Sequence, residues 1–304
     1  MSKAHWVALS TIPGIGGATA RKLVERFGTV GAVFEADPAD LLAVPRITPD
    51  IVRQIQTTLL ENVEAELVSL DDEGITVVTL EDDGYPELLR TVGDAPSVLF
   101  VRGQVRPADT QAVAIVGTRE PGDQGLQTAE RLASELAARG WTIVSGLALG
   151  IDTAAHRGVF AVPGGRTLAV LGSGLRVVHP SKNADLAQEI IARGALLSEL
   201  HPSTPPRGPQ LMARDRIISG LSRAVIVVEA GEKSGSLDTA SKARRQGRPV
   251  LAVPGSPGTD QLITSGAASV QVGQMDWGVL VARIEQSLGM LPTPGNLRQA
   301  SLWQ

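Results

Sequence analysis

The stretch Thr142-Ile143-Val144-Ser145-Gly146-Leu147-Ala148-Leu149-Gly150-Ile151-Asp152-Thr153-Ala154-Ala155-His156 decides how the chain is read. Its first four residues are a short run rich in β-branched side chains, which predicts a buried strand. Gly146 and Gly150 then let the backbone turn tightly at the strand end. Asp152 is placed to cap the helix that carries His156. Strand, glycine turn and helix form the repeating unit of a parallel sheet.

Outward from this stretch the same unit recurs. Strands are expected at 75–80, 98–101, 113–116, 142–145, 167–171, 195–198, 225–229 and 250–253, with helices at 123–139, 152–160, 183–192, 214–221, 236–246 and 259–266. Near-continuous apolar strands alternating with helices predict an α/β, Rossmann-like, mostly parallel sheet with helices on both faces. Ligands of such sheets sit at the carboxyl ends of the strands.

The first sixty or so residues read differently, as short helices. Ile12-Pro13-Gly14-Ile15-Gly16-Gly17 precedes apolar positions at Ala20, Leu23, Val24 and Phe27, and Gly28 supplies a left-handed stop. This is the pattern of a helix-hairpin-helix (SAM-like) unit. A weaker second copy runs from Leu41 through Pro49 to Leu60, with Arg46 and Thr48 standing where glycines would be. Such turns join helices more often than they touch DNA. The expected division is 1–66 helical, 67–290 Rossmann-like and 291–304 a loosely ordered tail after a closing helix at 277–288.

The chain has 304 residues, a formal charge of −4 and no cysteine, which excludes disulfides, thiolate metal sites and thiol nucleophiles. The start, MSKAHWVALS, reads as no signal peptide, and no apolar run reaches membrane-spanning length, so a cytoplasmic location is expected. Charge is uneven: Arg207 to Arg248 holds nine cations against four anions, while acid gathers between Glu61 and Asp94. That asymmetry points to an anionic partner bound by a local patch. The four histidines have no metal-ligand spacing, and no metal or cofactor is expected.

The turns after the strands carry the candidate chemistry. Gly117-Thr118-Arg119 sets an arginine beside exposed amides, a plausible phosphate cradle. Ser145 and the amides around Gly146 are candidate oxyanion donors, while His156 reads first as a structural hydrogen-bonder. Arg214-Asp215-Arg216 offers two guanidinium forks at a helix start, unless Arg214 pairs internally with an acid. Ser234-Gly235-Ser236 leads into a helix with Lys242, Arg244 and Arg245, followed by Arg248. No Walker A loop and no G-x-G-x-x-G follows a strand, which disfavours ATP hydrolysis and dinucleotide redox chemistry.

In order, these segments resemble the DNA-processing protein A (DprA/Smf) family. The resemblance rests on Gly117-Thr118-Arg119, Ser145 to His156, Gly172 to Asn183, Arg214 to Ser222, Val228 to Arg248 and Ala252 to Ala267, within a span from Ile12 to Ala268. It implies a homodimeric, non-enzymatic mediator that binds and protects single-stranded DNA and helps load RecA recombinase during natural transformation. The single-strand-binding protein is a further candidate partner. By matching positions it implies Arg119, Ser145, Gly146, Arg214, Arg216, Lys242 and Arg248 as DNA contacts.

The chain departs from the family pattern at several places. Asp215 replaces an asparagine between the two arginines, adding negative charge where phosphate is expected. Leu211-Met212 replaces Phe-Pro and removes an aromatic platform, and Asp260 replaces another asparagine. The rival reading is a nucleotide N-glycosidic hydrolase of the related lysine-decarboxylase-like family, or a nucleotide-binding sensor. The hydrolases carry a catalytic glutamate at the position of Leu262, so the carboxylate their chemistry needs is missing here.

Overall fold

The structure is a computed structural model that describes residues 2–271, 278–280 and 282. The expected tail at 291–304 and most of the expected helix at 277–288 lie outside the described residues.

Six helices come first: α1 (Ser2–Thr11), α2 (Gly17–Phe27), α3 (Val30–Glu35), α4 (Pro38–Leu42), α5 (Pro49–Thr57) and α6 (Leu60–Asp72). Their ends follow local chemistry. Gly28 adopts φ 87° and its N–H donates to Val24 O, the stop expected from sequence. Thr48 accepts from Ile51 N ahead of Pro49, so the second hairpin copy is capped at its helix start. Arg46, in the place of a glycine, takes φ 75°, a left-handed conformation that costs a non-glycine residue about 1 kcal/mol.

The α/β part follows as β1 (Ile75–Thr79), α7 (Glu87–Arg90), β2 (Val98–Gly103), β3 (Ala112–Val116), α8 (Asp123–Ala137), β4 (Thr142–Ser145), α9 (Ile151–Phe160), β5 (Thr167–Val170), α10 (Ala184–Arg193), β6 (Ala195–Ser198), α11 (Gly208–Ala213), α12 (Asp215–Gly220), β7 (Ala224–Val227), α13 (Ser236–Arg245), β8 (Val250–Ala252), α14 (Pro257–Thr264) and β9 (Ala268–Ser269). The strands form one sheet in the order β1-β2-β6-β5-β4-β3-β7-β8-β9. From β6 to β9 all pairs are parallel, whereas β1–β2 and β2–β6 are antiparallel.

The two-residue period of a strand sends alternate side chains to opposite faces. Val113 and Ile115 of β3, with Ala224 and Ile226 of β7, pack under α8 and α9 against Leu132, Leu136 and Ile151. Ala112, Ala114 and Val116 point the other way, into a core with Ile217, Ile218 and Ala240 of α12 and α13. Both faces are therefore covered, which is why these strands lack polar alternation.

The helical start is not a separate bead. Trp6, Leu9, Leu23 and Ile55 share a core with Val98, Phe100, Leu171, Ile190 and Leu196 of the α/β part. α6 runs through residues 66 and 67, and Glu66–His201 at 2.5 Å, with Glu73–Arg176 at 2.5 Å just past its end, ties it to the far loops. Lys3 Nζ donates to Val77 O on the outer strand β1, placing a charge beside that edge.

Candidate nucleic-acid interface

The strand order reverses between β3 and β7: β4, β5 and β6 lie to one side of β3, and β7, β8 and β9 to the other. A fold of this class opens its crevice at that reversal, beyond the carboxyl ends of the two strands. Here the loop after β3 meets the loop after β7 through Thr118 N donating to Glu229 O at 2.7 Å. Glu229 Oε1 also accepts from Gly122 N, at the start of α8, at 3.3 Å. Sequence reasoning passed over Glu229, whose only signal was a lone acid directly after an apolar strand.

Beside this crevice the β4 loop is held from within. The guanidinium of Arg214 donates through Nη1 to Gly146 O and Val170 O, each at 2.6 Å, and through Nε to Leu211 O at 3.2 Å. It also pairs with Asp215 at 2.9 Å and stands 4.0 Å from Asp152. A Cβ on residue 146 would fall 1.8 Å from Arg214 Nη1, so only glycine fits there. Asp152 does not cap α9. Its carboxylate accepts from Gly146 N at 3.1 Å and Ala148 N at 3.3 Å, closing the loop on itself. Asn183 adds bonds from Nδ2 to Leu147 O at 2.9 Å and Thr153 Oγ1 at 2.9 Å.

The buried charges are shifted accordingly. Burial pushes the Asp215 carboxyl up to about 6, against the opposing pull of Arg214. Burial likewise raises Asp152, with Arg214 and the two loop amides pulling it down. His156 is buried and neutral: burial, helped by Arg214, brings it down to about 3. Because Thr167 Oγ1 donates to Ile143 O, it accepts from His156 Nδ1 at 2.7 Å, which sets the tautomer. His156 is thus the structural hydrogen-bonder favoured from sequence.

Residues 76–276 match the family described as DNA recombination-mediator protein A, and residues 7–59 match the SAM-like helix-hairpin-helix tandem. The chain belongs to the DNA recombination-mediator protein A family. Protein Smf of Synechocystis is 37% identical over 261 residues, which cover 84% of this chain and 65% of that protein's length. The DprA structure from Streptococcus pneumoniae superimposes with a TM-score of 0.69 at 32% identity, covering 90% of this chain and 96% of that one. DprA from Helicobacter pylori, described for its single-stranded-DNA binding mode, gives 0.62 at 32% identity, covering 69% and 96%.

Within the DNA recombination-mediator protein A fold, the seven expected DNA contacts separate. Arg119 is exposed, with no side-chain partner among the described residues. Arg216 is half-buried, paired to Glu199 through two bonds of 2.6 Å and to Asp94 at 3.4 Å. Lys242 is half-buried as well, paired with Asp238 and donating to Met212 O.

The other four are buried in this conformation. Ser145 is fully enclosed, with its hydroxyl donating to Ile115 O at 2.7 Å. Gly146 spends its amide on Asp152 and its carbonyl on Arg214. Arg214 is itself enclosed by the carbonyls it serves. Arg248 is buried and donates to Leu88 O at 3.0 Å and Thr91 Oγ1 at 3.1 Å. In this conformation these residues build the edge and do not face solvent. Asp215 is buried too, so its charge answers Arg214 and not an incoming phosphate. Leu262, at the position of the hydrolases' glutamate, packs in the core.

Among the described residues no cluster of His, Asp or Glu could hold a metal ion, and no helix is long and apolar enough to cross a membrane.

Proposed function

We propose that this chain binds single-stranded DNA along the carboxyl edge of its sheet and acts as a homodimeric, cytoplasmic recombination mediator. In this reading it protects incoming strands and helps load RecA recombinase during DNA uptake, with no catalytic step of its own. The observation that carries it is Arg119, an exposed cation without a side-chain partner among the described residues, beside the β3/β7 reversal, in a family member that superimposes on a DprA described as binding single strands. A guanidinium so placed is free to fork onto phosphate oxygens. Arg216 and Lys242 stand as rim contacts that reach phosphate by exchanging their carboxylate partners. Ser145, Gly146, Arg214 and Arg248 serve the site by shaping it.

The test is fluorescence anisotropy of a labelled single-stranded oligonucleotide over a salt series, with a duplex competitor, on the native chain and on Arg119→Glu. Salt-sensitive, single-strand-preferring binding that collapses in the variant is expected. Binding indifferent to Arg119→Glu, or a preference for mononucleotides over oligonucleotides, would overturn the reading in favour of a nucleotide sensor.

A further inference from the structure

Arg119 lies in the short loop between β3 and α8, and one residue of another loop holds that loop at both ends. Glu229, just past β7, accepts from Thr118 N on its backbone carbonyl at 2.7 Å and from Gly122 N on its carboxylate at 3.3 Å. Arg119 stands between the two anchor points. The first is backed from α9, where Ile151 N donates to Thr118 O at 3.2 Å. A Cβ on Gly125 would fall 2.1 Å from Glu229 Oε2 and 3.3 Å from Pro121 Cβ, so the carboxylate takes the space a side chain there would fill. A negative charge is favourable at the start of a helix of 15 residues, whose first amides have no partner within the helix. Among the described residues no lysine, arginine or histidine pairs with Glu229. Its charge therefore answers the start of α8 and not a cation.

We propose that Glu229 is a positioning residue for single-strand binding: by anchoring both ends of the 118–122 loop it presents Arg119 to phosphate in a fixed place. The inference rests on the single-strand reading above and names the residue that prepares its exposed cation. A loop ordered before the strand arrives loses less freedom on binding, so the anchor raises affinity without touching DNA. Charge alone argues the other way. An acid beside a phosphate site repels its ligand, so any neutral replacement of Glu229 would strengthen binding. Positioning instead makes the outcome depend on whether the replacement still reaches Gly122.

The experiment titrates a labelled oligothymidylate, by anisotropy, against two charge-matched pairs. The native chain and Glu229→Asp share the charge, while Glu229→Gln and Glu229→Ala share its loss. Within each pair only the reach to Gly122 differs, since glutamine keeps an oxygen acceptor at the native length. Glu229→Ala should bind about threefold to tenfold more weakly than Glu229→Gln, the range of one hydrogen bond, and Glu229→Asp more weakly than the native chain. Thermal melting confirms the fold of each variant, and the aspartate pair carries the comparison where the alanine chain does not fold. All four are repeated with Arg119→Ala, where both differences should vanish because the loop then has no cation to place. Equal affinities within both pairs, with Arg119→Ala defective, would overturn this inference alone. So would differences that persist without Arg119, which would make Glu229 a support of the fold only. A native chain that does not bind oligothymidylate, or binds it without regard to Arg119→Ala, would overturn the single-strand reading with it.

Discussion

Gly146 and Arg214 occupy one space: the atom a side chain would begin with at residue 146 falls 1.8 Å from the guanidinium of Arg214, 68 positions later in the chain. The glycine is there because the arginine is, and the arginine is buried because the glycine's carbonyl receives it. A motif expected to grip phosphate from two separate turns is one internal staple joining β4, β5 and α11.

Gly146→Ala should therefore cost about 3 kcal/mol or more, at the upper end of overpacking, because a hydrogen-bonded guanidinium cannot step aside. Arg214→Ala should cost about 3–5 kcal/mol by leaving Asp152 and Asp215 buried without their cation. Urea unfolding of both variants checks this. An Arg214→Ala chain as stable as the native one, with only DNA binding lost, would return Arg214 to the surface role implied by resemblance.

Stability against pH carries two opposed signatures. Asp215 titrates near 6 in the folded chain, above its unfolded value, so the folded state holds the extra proton and stability falls as pH rises from about 4 to 6. That difference is worth up to about 3 kcal/mol. His156 has the reverse sign: its folded value near 3 lies below the unfolded one, so stability falls as pH drops from about 6.5 toward 3. Asp215→Asn should remove the first slope and leave stability climbing more steeply between pH 4 and 6. His156→Gln should remove the second. Urea midpoints at pH 4, 5, 6 and 7 measure both, and parallel curves for all three chains would contradict the assignment.

Arg119 and Arg248 should divide cleanly. Arg119→Ala should leave thermal stability unchanged, because the side chain has no partner among the described residues, and should lower the salt slope of single-strand binding by about 0.7. Arg248→Met should do the opposite, since Leu88 O and Thr91 lose their donor: a loss of about 1–3 kcal/mol in stability with the salt slope intact. Melting and anisotropy on the same two preparations decide it.

Glu199 holds Arg216 through two bonds of 2.6 Å. Glu199→Gln removes the charge that pairs with this guanidinium and, on the proposed function, frees it for phosphate. Single-strand affinity should rise and the salt slope should steepen by about 0.7, one further phosphate contact. An unchanged slope would show that Arg216 serves the fold alone.

The strands lay open in the sequence because each is a short continuous apolar run bounded by turn chemistry, and all eight expected runs are strands in the fold. The run 225–229 ends two residues early, at Val227. β9 was missed because two residues, Ala268 and Ser269, are too few to show a period. The site was harder to read. Asp152 looks like a helix cap from spacing alone, and only the folded loop brings Gly146 N and Ala148 N to it.

The sequence by itself determined the alternation of strand and helix and the glycine turns, since each depends on residues within a few positions of one another, and the family, through the order of its motifs along the chain. The tertiary structure decided the reversal of strand order at β3 and β7 and the antiparallel addition of β1 and β2. It also decided which cations face water. An arginine is equally basic wherever it stands in a motif. Arg214 and Arg248 are enclosed because carbonyls distant in sequence converge on them, and Arg119 remains exposed because none among the described residues does.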